Sequence, residues 1–356
     1  MREIARSGMT GYDPFGNVAI CRRASARSLR ILLERPSLMS PSNDIGIFSG
    51  SAHLDLAHEI CGHLGTTLAP AKIDRFSNDC LQIQLQDNCR EKDIFIVQPL
   101  VPPVQEHLME LLLMLDAARG ASAARITAVI PHYAYARSDK KDQPRISIGG
   151  RLVADLLVTS GADRVLTLAL HAPQVHGFFS VPVDHLNALG VLADHFAATD
   201  LSNSIIVSPD LGNAKAATTF ARSLGIPVAA GSKRRLADDK VVIDTIVGSV
   251  EGKHAIVLDD EIATGGSIIQ LLEALRERGV DRVSVACTHG LFTGKAIERL
   301  GADTGIDEIV TTNTVPIPPE KRLPNMTILS IAPLMAETIR RIHIGESVSS
   351  LFTHSY

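Results

Sequence analysis

The chain contains no tryptophan, and aromatic residues make up only 4% of it. Stacking platforms for successive bases of single-stranded nucleic acid are therefore not expected. Net charge is −4, which gives the chain as a whole no attraction for polyanions. Cysteine is scarce and unpatterned. Cys21, Cys61, Cys80, Cys89 and Cys287 include no C-x-x-C pair, which offers no zinc framework. An odd count without a disulfide pattern fits a reducing cytosol better than secretion, so a cytoplasmic location is expected. No uninterrupted apolar run approaches the roughly 18 residues of a membrane span. The stretch 111–115, for example, ends at Asp116. Neither a nucleic acid nor a membrane is expected as a partner.

What is present is the composition of an ordinary globular protein, 45% hydrophobic and 21% charged over 356 residues. That length suffices for two domains. Residues 1–43 stand apart, with seven Arg, no Lys and three acids. They read as a basic arm, a transit peptide or an upstream start, since Met39 precedes the folded pattern. In each case a non-catalytic extension, disordered by itself, is expected.

The most informative run is Ile256-Val257-Leu258-Asp259-Asp260-Glu261-Ile262-Ala263-Thr264-Gly265-Gly266-Ser267. An apolar strand ends in carboxylates, a glycine turn follows, and a helix begins. Glycines let a backbone approach a ligand closely. N–H groups at a helix start favour an anion. Carboxylates beside them suit sugar hydroxyls or a metal. The unit reads as a cradle for a phosphorylated sugar; the plainer alternative is a helix cap with acidic loop residues.

From residue 45 onward short apolar strands alternate with amphipathic helices. Strands are expected at 45–48, 82–86, 93–98, 125–131, 164–170, 204–208, 228–230, from 255, and at 283–287, 309–312 and 328–331. Helices are expected at 54–64, 104–118, 148–158, 213–224, from 267, and at 333–343. This alternation indicates parallel α/β sheets. There is also an internal repeat. Gly161-Ala162-Asp163-Arg164-Val165 leads to His171, and Gly279-Val280-Asp281-Arg282-Val283 leads to His289 at the same interval. Each follows a helix that starts near a glycine pair, Gly149-Gly150 or Gly265-Gly266. Two tandem copies of one α/β domain are implied. Only the second carries paired acids before its glycines, which leaves the first as the nucleotide side.

Five further constellations could carry chemistry. The loop Arg137-Ser138-Asp139-Lys140 could be a polyphosphate clamp, though on composition alone it reads as a solvated loop. Ser232-Lys233-Arg234-Arg235, leaving the short strand at 228–230, is either a set of cations that closes over phosphates or a surface cluster. His171, at a strand end, and Asp210, in a Ser-Pro-Asp turn, stand where α/β ligands bind; each is also an ordinary loop residue. Phe76, ahead of Asn78-Asp79-Cys80, either stacks on a base or packs in a core.

In this order the pieces resemble the ribose-phosphate pyrophosphokinase (PRPP synthetase) family, from about residue 45 to 352. The resemblance rests on 106–112, on Leu170-His171-Ala172-Pro173-Gln174 with Pro182-Val183-Asp184-His185, on Ser208-Pro209-Asp210, on Lys233-Arg234-Arg235, and on 347–352. It implies two tandem phosphoribosyltransferase-like domains, at 44–187 and 188–356, with the last residues packing back on the first. It implies transfer of the diphosphoryl group of ATP to the 1-hydroxyl of ribose 5-phosphate, with Mg²⁺, in a homo-oligomer, usually a hexamer. Lys233 and Arg235 would be catalytic. Phe76, Asn78, Asp79, Cys80, Arg137, Ser138, Asp139 and Lys140 would bind ATP, with Phe76 supplied by an adjoining subunit. Arg235, Asp259, Asp260, Ala263, Thr264, Gly265, Gly266 and Ser267 would bind ribose 5-phosphate. His171 and Asp210 would belong to metal sites. The chain departs from the family pattern at Ala263 and Ala169, where Asp is usual, at Ser138, where Gln is usual, at Asn213, where Gly is usual, and at 78–80, where Asp-Gly-Glu is usual. Two rival readings are a non-catalytic regulatory homologue and a phosphoribosyltransferase that consumes PRPP.

Overall fold

The first sheet is built from strands whose central residues are mostly apolar and buried, as strands covered on both faces require. The computed structural model describes residues 44–235 and 241–352, so the extension at 1–43 lies outside the described residues. Residues 41–356 form one compact unit, and everything below concerns it. Five strands are β1 (Ile45–Ser49), β4 (Asp93–Val97), β5 (Arg125–Ile130), β6 (Arg164–Leu168) and β7 (Val183–Leu186). They pair in the order β1-β4-β5-β6-β7, all parallel. A separate antiparallel hairpin joins β2 (Ala71–Arg75) to β3 (Leu81–Leu85).

The second sheet contains β8 (Ser204–Ser208), β9 (Val228–Arg235), β10 (Val241–Val247), β11 (His254–Ile262), β12 (Arg282–Gly290), β13 (Ile306–Thr312) and β14 (Met326–Leu329). Its order is β10-β9-β8-β11-β12-β13-β14. Only the β9–β10 pair is antiparallel. The helices are α1 (Leu54–Leu64), α2 (Val104–Gly120), α3 (Gly149–Ser160), α4 (Leu189–Ala197), α5 (Ala214–Leu224), α6 (Gly266–Glu277), α7 (Ala296–Ala302) and α8 (Ala332–Ile344). The expectation of two parallel α/β sheets flanked by helices holds.

Each sheet has an apolar cluster on both faces. In the first, Leu111, Met114 and Leu115 of α2 and Val153 and Leu157 of α3 cover one side. On the other, Leu56 and Ile60 of α1 pack with Met335, Ala336, Ile339 and Ile342 of α8. In the second, α6 and α7 supply Leu271, Leu272 and Leu300 to one face. Leu192 of α4 and Phe220 of α5 fill the opposite face. Polar ties accompany α8 across the two halves. Arg125 donates to the Ile342 carbonyl at 2.9 Å, and His343 Nδ1 lies 2.9 Å from Asp93. Asn313 Nδ2 donates to Glu59 at 3.0 Å, and its carbonyl lies 2.9 Å from His53 Nε2.

Several boundaries differ from expectation for local reasons. β6 stops at Leu168 because Ala169 adopts φ +46, a left-handed conformation that leaves the strand. β14 ends at Leu329 because the Ile331 N–H is taken by the Asn313 side chain at the start of α8. β9 does not end at Ala230. It runs on through the cation run to Arg235, because β10 supplies a partner. β8 pairs with β9 only at 228–230, so from Gly231 onward β9 and β10 form a two-stranded arm beyond the sheet. β2, β7, β10, α4 and α7 add to the expected elements.

Ile339 is fully buried where α8 meets the first sheet. Ile339→Ala should cost about 2–5 kcal/mol, measured by denaturant unfolding. A loss below about 1 kcal/mol would show that α8 does not hold the first sheet's core.

Candidate active site

Parallel strands deliver their loops to one edge, and ligands of open α/β sheets bind there. At that edge of the first sheet stand His132 and Arg137 after β5 and His171 after β6. At that edge of the second stand Asp210 after β8, Asp259 to Glu261 on β11, and His289 on β12. The two edges meet. His171 Nδ1 lies 2.6 Å from Asp260 Oδ2. Glu261 reaches His132 Nε2 and the Arg137 guanidinium, each at 3.3 Å. His289 Nε2 lies 3.1 Å from the Ala169 carbonyl. The rings of His132 and His289 meet edge to face, centroids 4.9 Å apart.

The electrostatics follow from burial and from these pairs. Burial pushes Asp259 well above the ordinary carboxylate value, and the neighbouring Asp260 charge adds to it. Burial also disfavours the Asp260 anion, but the His171 hydrogen bond and charge outweigh it and hold the carboxyl at about 2. The same hydrogen bond raises His171. Of two adjacent carboxylates, one is therefore driven toward the neutral acid and the other held as an anion. The first can donate a hydrogen bond to a ligand and the second can only accept. Glu261 is lowered despite burial, by its bond to His132 and the Arg137 charge.

The glycine turn has the expected form. Gly265 takes φ +72, a conformation costly for other residues. No side chain caps the start of α6, and the N–H groups of a helix start favour an anion. The loop is anchored through its own backbone, since the Ala263 carbonyl accepts the Thr293 N–H at 2.8 Å and the Ile262 carbonyl accepts that of Phe292 at 3.1 Å. Arg299, at 2.9 Å from the Thr264 carbonyl, brings a cation to the turn. The glycine pair of the first copy serves packing. A Cβ on Gly150 would come within 3.0 Å of the Tyr135 carbonyl, so the turn carrying Arg137 lies directly on α3.

The structure brings some expected site residues together and leaves others apart. His171, Asp259, Asp260 and Arg137 converge. Asp210 is near enough for its charge to act on Asp259, and its Oδ1 accepts the Asn213 N–H at 3.0 Å. Ser138 Oγ accepts the Gly149 N–H at 2.9 Å, Asp139 accepts from Gln174 at 2.5 Å, and Lys140 is exposed. Phe76, Asn78, Asp79 and Cys80 form the tip of the β2–β3 hairpin. Its bonds run from the Asp79 N–H to the Phe76 carbonyl and from Arg75 to Asp79 and to Glu106 of α2. No ion pair or hydrogen bond among the described residues joins this tip to the Arg137 turn. Phe76 is 51% exposed. The backbones of Lys233 and Arg235 lie on the arm, while their side chains lie outside what the structure describes. Glu261, His132, His289 and Arg299 had no assigned role in the sequence. The internal repeat already paired His289 with His171, and Glu261 extends the acid run; His132 and Arg299 carry no sequence signal.

Two mainly parallel sheets meet at their strand ends, with acids and an uncapped helix start on one and basic residues on the other, an arrangement of the phosphoribosyltransferase-like α/β class. Comparison with known proteins agrees. Residues 45–161 match the N-terminal domain of ribose phosphate pyrophosphokinase, and residues 235–353 match the phosphoribosyl synthetase-associated domain. A Streptomyces coelicolor protein with the provisional name ribose-phosphate pyrophosphokinase is 63% identical, covering 87% of this chain and 98% of its own. A Deinococcus radiodurans ribose-phosphate pyrophosphokinase is 48% identical over 86% of this chain and 97% of its own. The crystal structure of phosphoribosylpyrophosphate synthetase from Mycobacterium smegmatis superposes with a TM-score of 0.78 at 41% identity, covering 84% of this chain and 98% of that one. The chain belongs to the ribose-phosphate pyrophosphokinase family.

Two histidines make the site's framework acid-sensitive. His185 accepts the Leu170 N–H at 2.9 Å, just ahead of His171. His185 and His289 are each pushed down to about 4, first by burial. An unfolded histidine titrates near 6.5, so the unfolded chain takes up these protons first. Above pH 6.5 the two groups leave stability unchanged; from 6.5 toward 4 stability falls. Unfolding midpoints measured across that window should drop, with His289→Gln shallower by about one proton. A slope unchanged in the variant would show that His289 is not held neutral.

Proposed function

We propose that this chain is an active ribose-phosphate diphosphokinase. In this reading the 1-hydroxyl of ribose 5-phosphate attacks the β-phosphorus of ATP. The bond between that phosphorus and the oxygen bridging to the α-phosphate breaks, AMP leaves, and PRPP forms. The single observation that carries the reading is the junction of the two sheet edges, where the β11 carboxylates and the α6 turn face Arg137 and His171.

Asp259 and Asp260 are assigned to the ribose hydroxyls. Residues 263–267 are assigned to the 5-phosphate, which the helix start attracts without any acid at Ala263. That the loop is held through the Ala263 and Ile262 carbonyls supports a working cradle despite the missing carboxylate. Lys233 and Arg235, on an arm that leaves the sheet at Gly231, are assigned to the diphosphoryl group in flight. Negative charge spreads over its oxygens, and cations placed there act mainly in the transition state. Arg137, Ser138, Asp139 and Lys140 are assigned to the ATP phosphates. Phe76, with Asn78, Asp79 and Cys80, is assigned to the adenine of a neighbouring subunit, since this tip is exposed in its own chain. A homohexamer follows as the proposed assembly, with residues 44–187 as the nucleotide half and 188–356 as the sugar half.

Mg²⁺ fits the donor set in part. Among the described residues no group of three or more His, Cys, Asp or Glu is arranged to hold a metal. Mg²⁺, however, commonly takes one or two protein carboxylates and completes its shell with substrate phosphates and water. Asp210 and Asp260 offer such oxygens. His171 could offer Nε2, since its bond to Asp260 engages only Nδ1. When bound, the ion would neutralise polyphosphate charge. The free thiols of Cys61, Cys89 and Cys287, all buried, and the exposed Cys80 are in keeping with a reducing cytoplasm. Among the described residues no helix is long and apolar enough to cross a membrane.

Protein incubated with Mg²⁺, ATP and ribose 5-phosphate should yield AMP and PRPP in equal amounts. Absence of AMP with several nucleotide donors would favour a regulatory homologue, and PRPP consumption with a free base would favour a phosphoribosyltransferase. Lys233→Ala should lower turnover by roughly 10²-fold, as for other charge-stabilising groups. An unchanged rate would remove the arm from the mechanism.

A further inference from the structure

Glu261 is the residue of the β11 acid run that no sugar or phosphate role accounts for. Its side chain is only 8% exposed, and it looks across to the other half of the molecule. Each of its oxygens faces a different group: Oε2 lies 3.3 Å from His132 Nε2, and Oε1 lies 3.3 Å from an Arg137 terminal nitrogen. His132 is itself fixed, buried at 3% exposure, with Nδ1 2.9 Å from the Leu100 carbonyl. On β11 the position is in register with His289, whose ring packs on that of His132. Glu261 is thus seated in a rigid frame on both sides.

Arg137 is not rigid by itself. It ends a single turn of 3-10 helix, Ala134–Arg137, and its side chain is 51% exposed. Among the described residues Glu261 is its one ion-pair partner. A guanidinium carries five N–H donors in a planar fork. Holding one nitrogen fixes the plane and leaves other donors to meet a phosphate.

We propose that Glu261 is a positioning residue for the nucleotide: it holds Arg137 in the orientation that binds the ATP polyphosphate, using His132 as its fixed support. This rests on the reading of Arg137 as an ATP contact. The effect is one of preorganisation, since an arginine already held in place loses less freedom when the ligand arrives. The sign of the effect is diagnostic. Glu261 is an anion near a polyanion, and if it acted only through its charge, removing it would strengthen ATP binding. A positioning role gives the opposite result.

The test compares the full chain with Glu261→Ala, Glu261→Gln, Arg137→Ala and the Glu261→Ala/Arg137→Ala double variant. KM for ATP and for ribose 5-phosphate is measured, together with calorimetric binding of a non-hydrolysable ATP analogue. Glu261→Ala should raise KM for ATP and weaken the analogue by about three- to tenfold, the size of ordering one long side chain. KM for ribose 5-phosphate should stay within about twofold on the same basis. Glu261→Gln, which keeps an acceptor for Arg137, should recover much of the loss. The double variant should bind no more weakly than Arg137→Ala alone. Unchanged or tighter ATP binding in Glu261→Ala, or losses that multiply in the double variant, would overturn the proposal. If Glu261→Ala does not fold, Glu261→Gln decides by the same binding measurement, with tighter binding counting against. Should the native chain bind the analogue yet make no PRPP, the functional reading fails while the positioning claim is still judged by the binding series. If the native chain does not bind the analogue, both fall.

Discussion

Helix α8 follows the second sheet in the chain but packs against the first. Its Met335, Ala336, Ile339 and Ile342 complete a face that α1 alone would leave half open. That burial holds the second half against the first, and the strand ends of both sheets then converge. The contacts on which the site depends, His171 with Asp260 and Glu261 with His132 and Arg137, are long-range consequences of it. Asn313 reinforces the closure, with its backbone carbonyl against His53 and its side chain on Glu59.

At the junction, burial and pairing divide labour between two neighbouring acids. Asp259 has little solvent and a like charge beside it, so its anion is disfavoured. Asp260 has a histidine from the opposite sheet and stays ionised. Identical side chains thus differ in what they can offer, one able to donate a hydrogen bond and the other only to accept. The asymmetry comes from the first half of the chain, since it is His171 that distinguishes them.

Much of this was legible in the sequence where the signal was local. Strand, acids, left-handed glycine and helix follow one another within a dozen residues around Asp259. Periodicity and punctuation place such units. The two sheets were readable for the same reason. What was not readable depends on pairing at a distance. His171 meets Asp260 over 89 residues and His132 meets Glu261 over 129, and no spacing rule reaches that far. The cation run at 233–235 was expected to leave the short strand at 228–230. It is a strand because the backbone of β10 pairs with it from Arg235 back to Lys233. The end of β6 was misplaced by two residues because a left-handed Ala169 carries no sequence mark.

The order of synthesis gives the placement of α8 another meaning. A ribosome delivers the first half early, with all five of its strands available by residue 186. One face of that sheet nevertheless stays partly uncovered until residue 344 has left the exit tunnel. The early half therefore waits, apolar surface exposed, while more than a hundred further residues are made. Chains in this state are the ones that associate wrongly or recruit chaperones. The feature that brings the two edges of the site together in the finished molecule also ties the folding of its beginning to the arrival of α8.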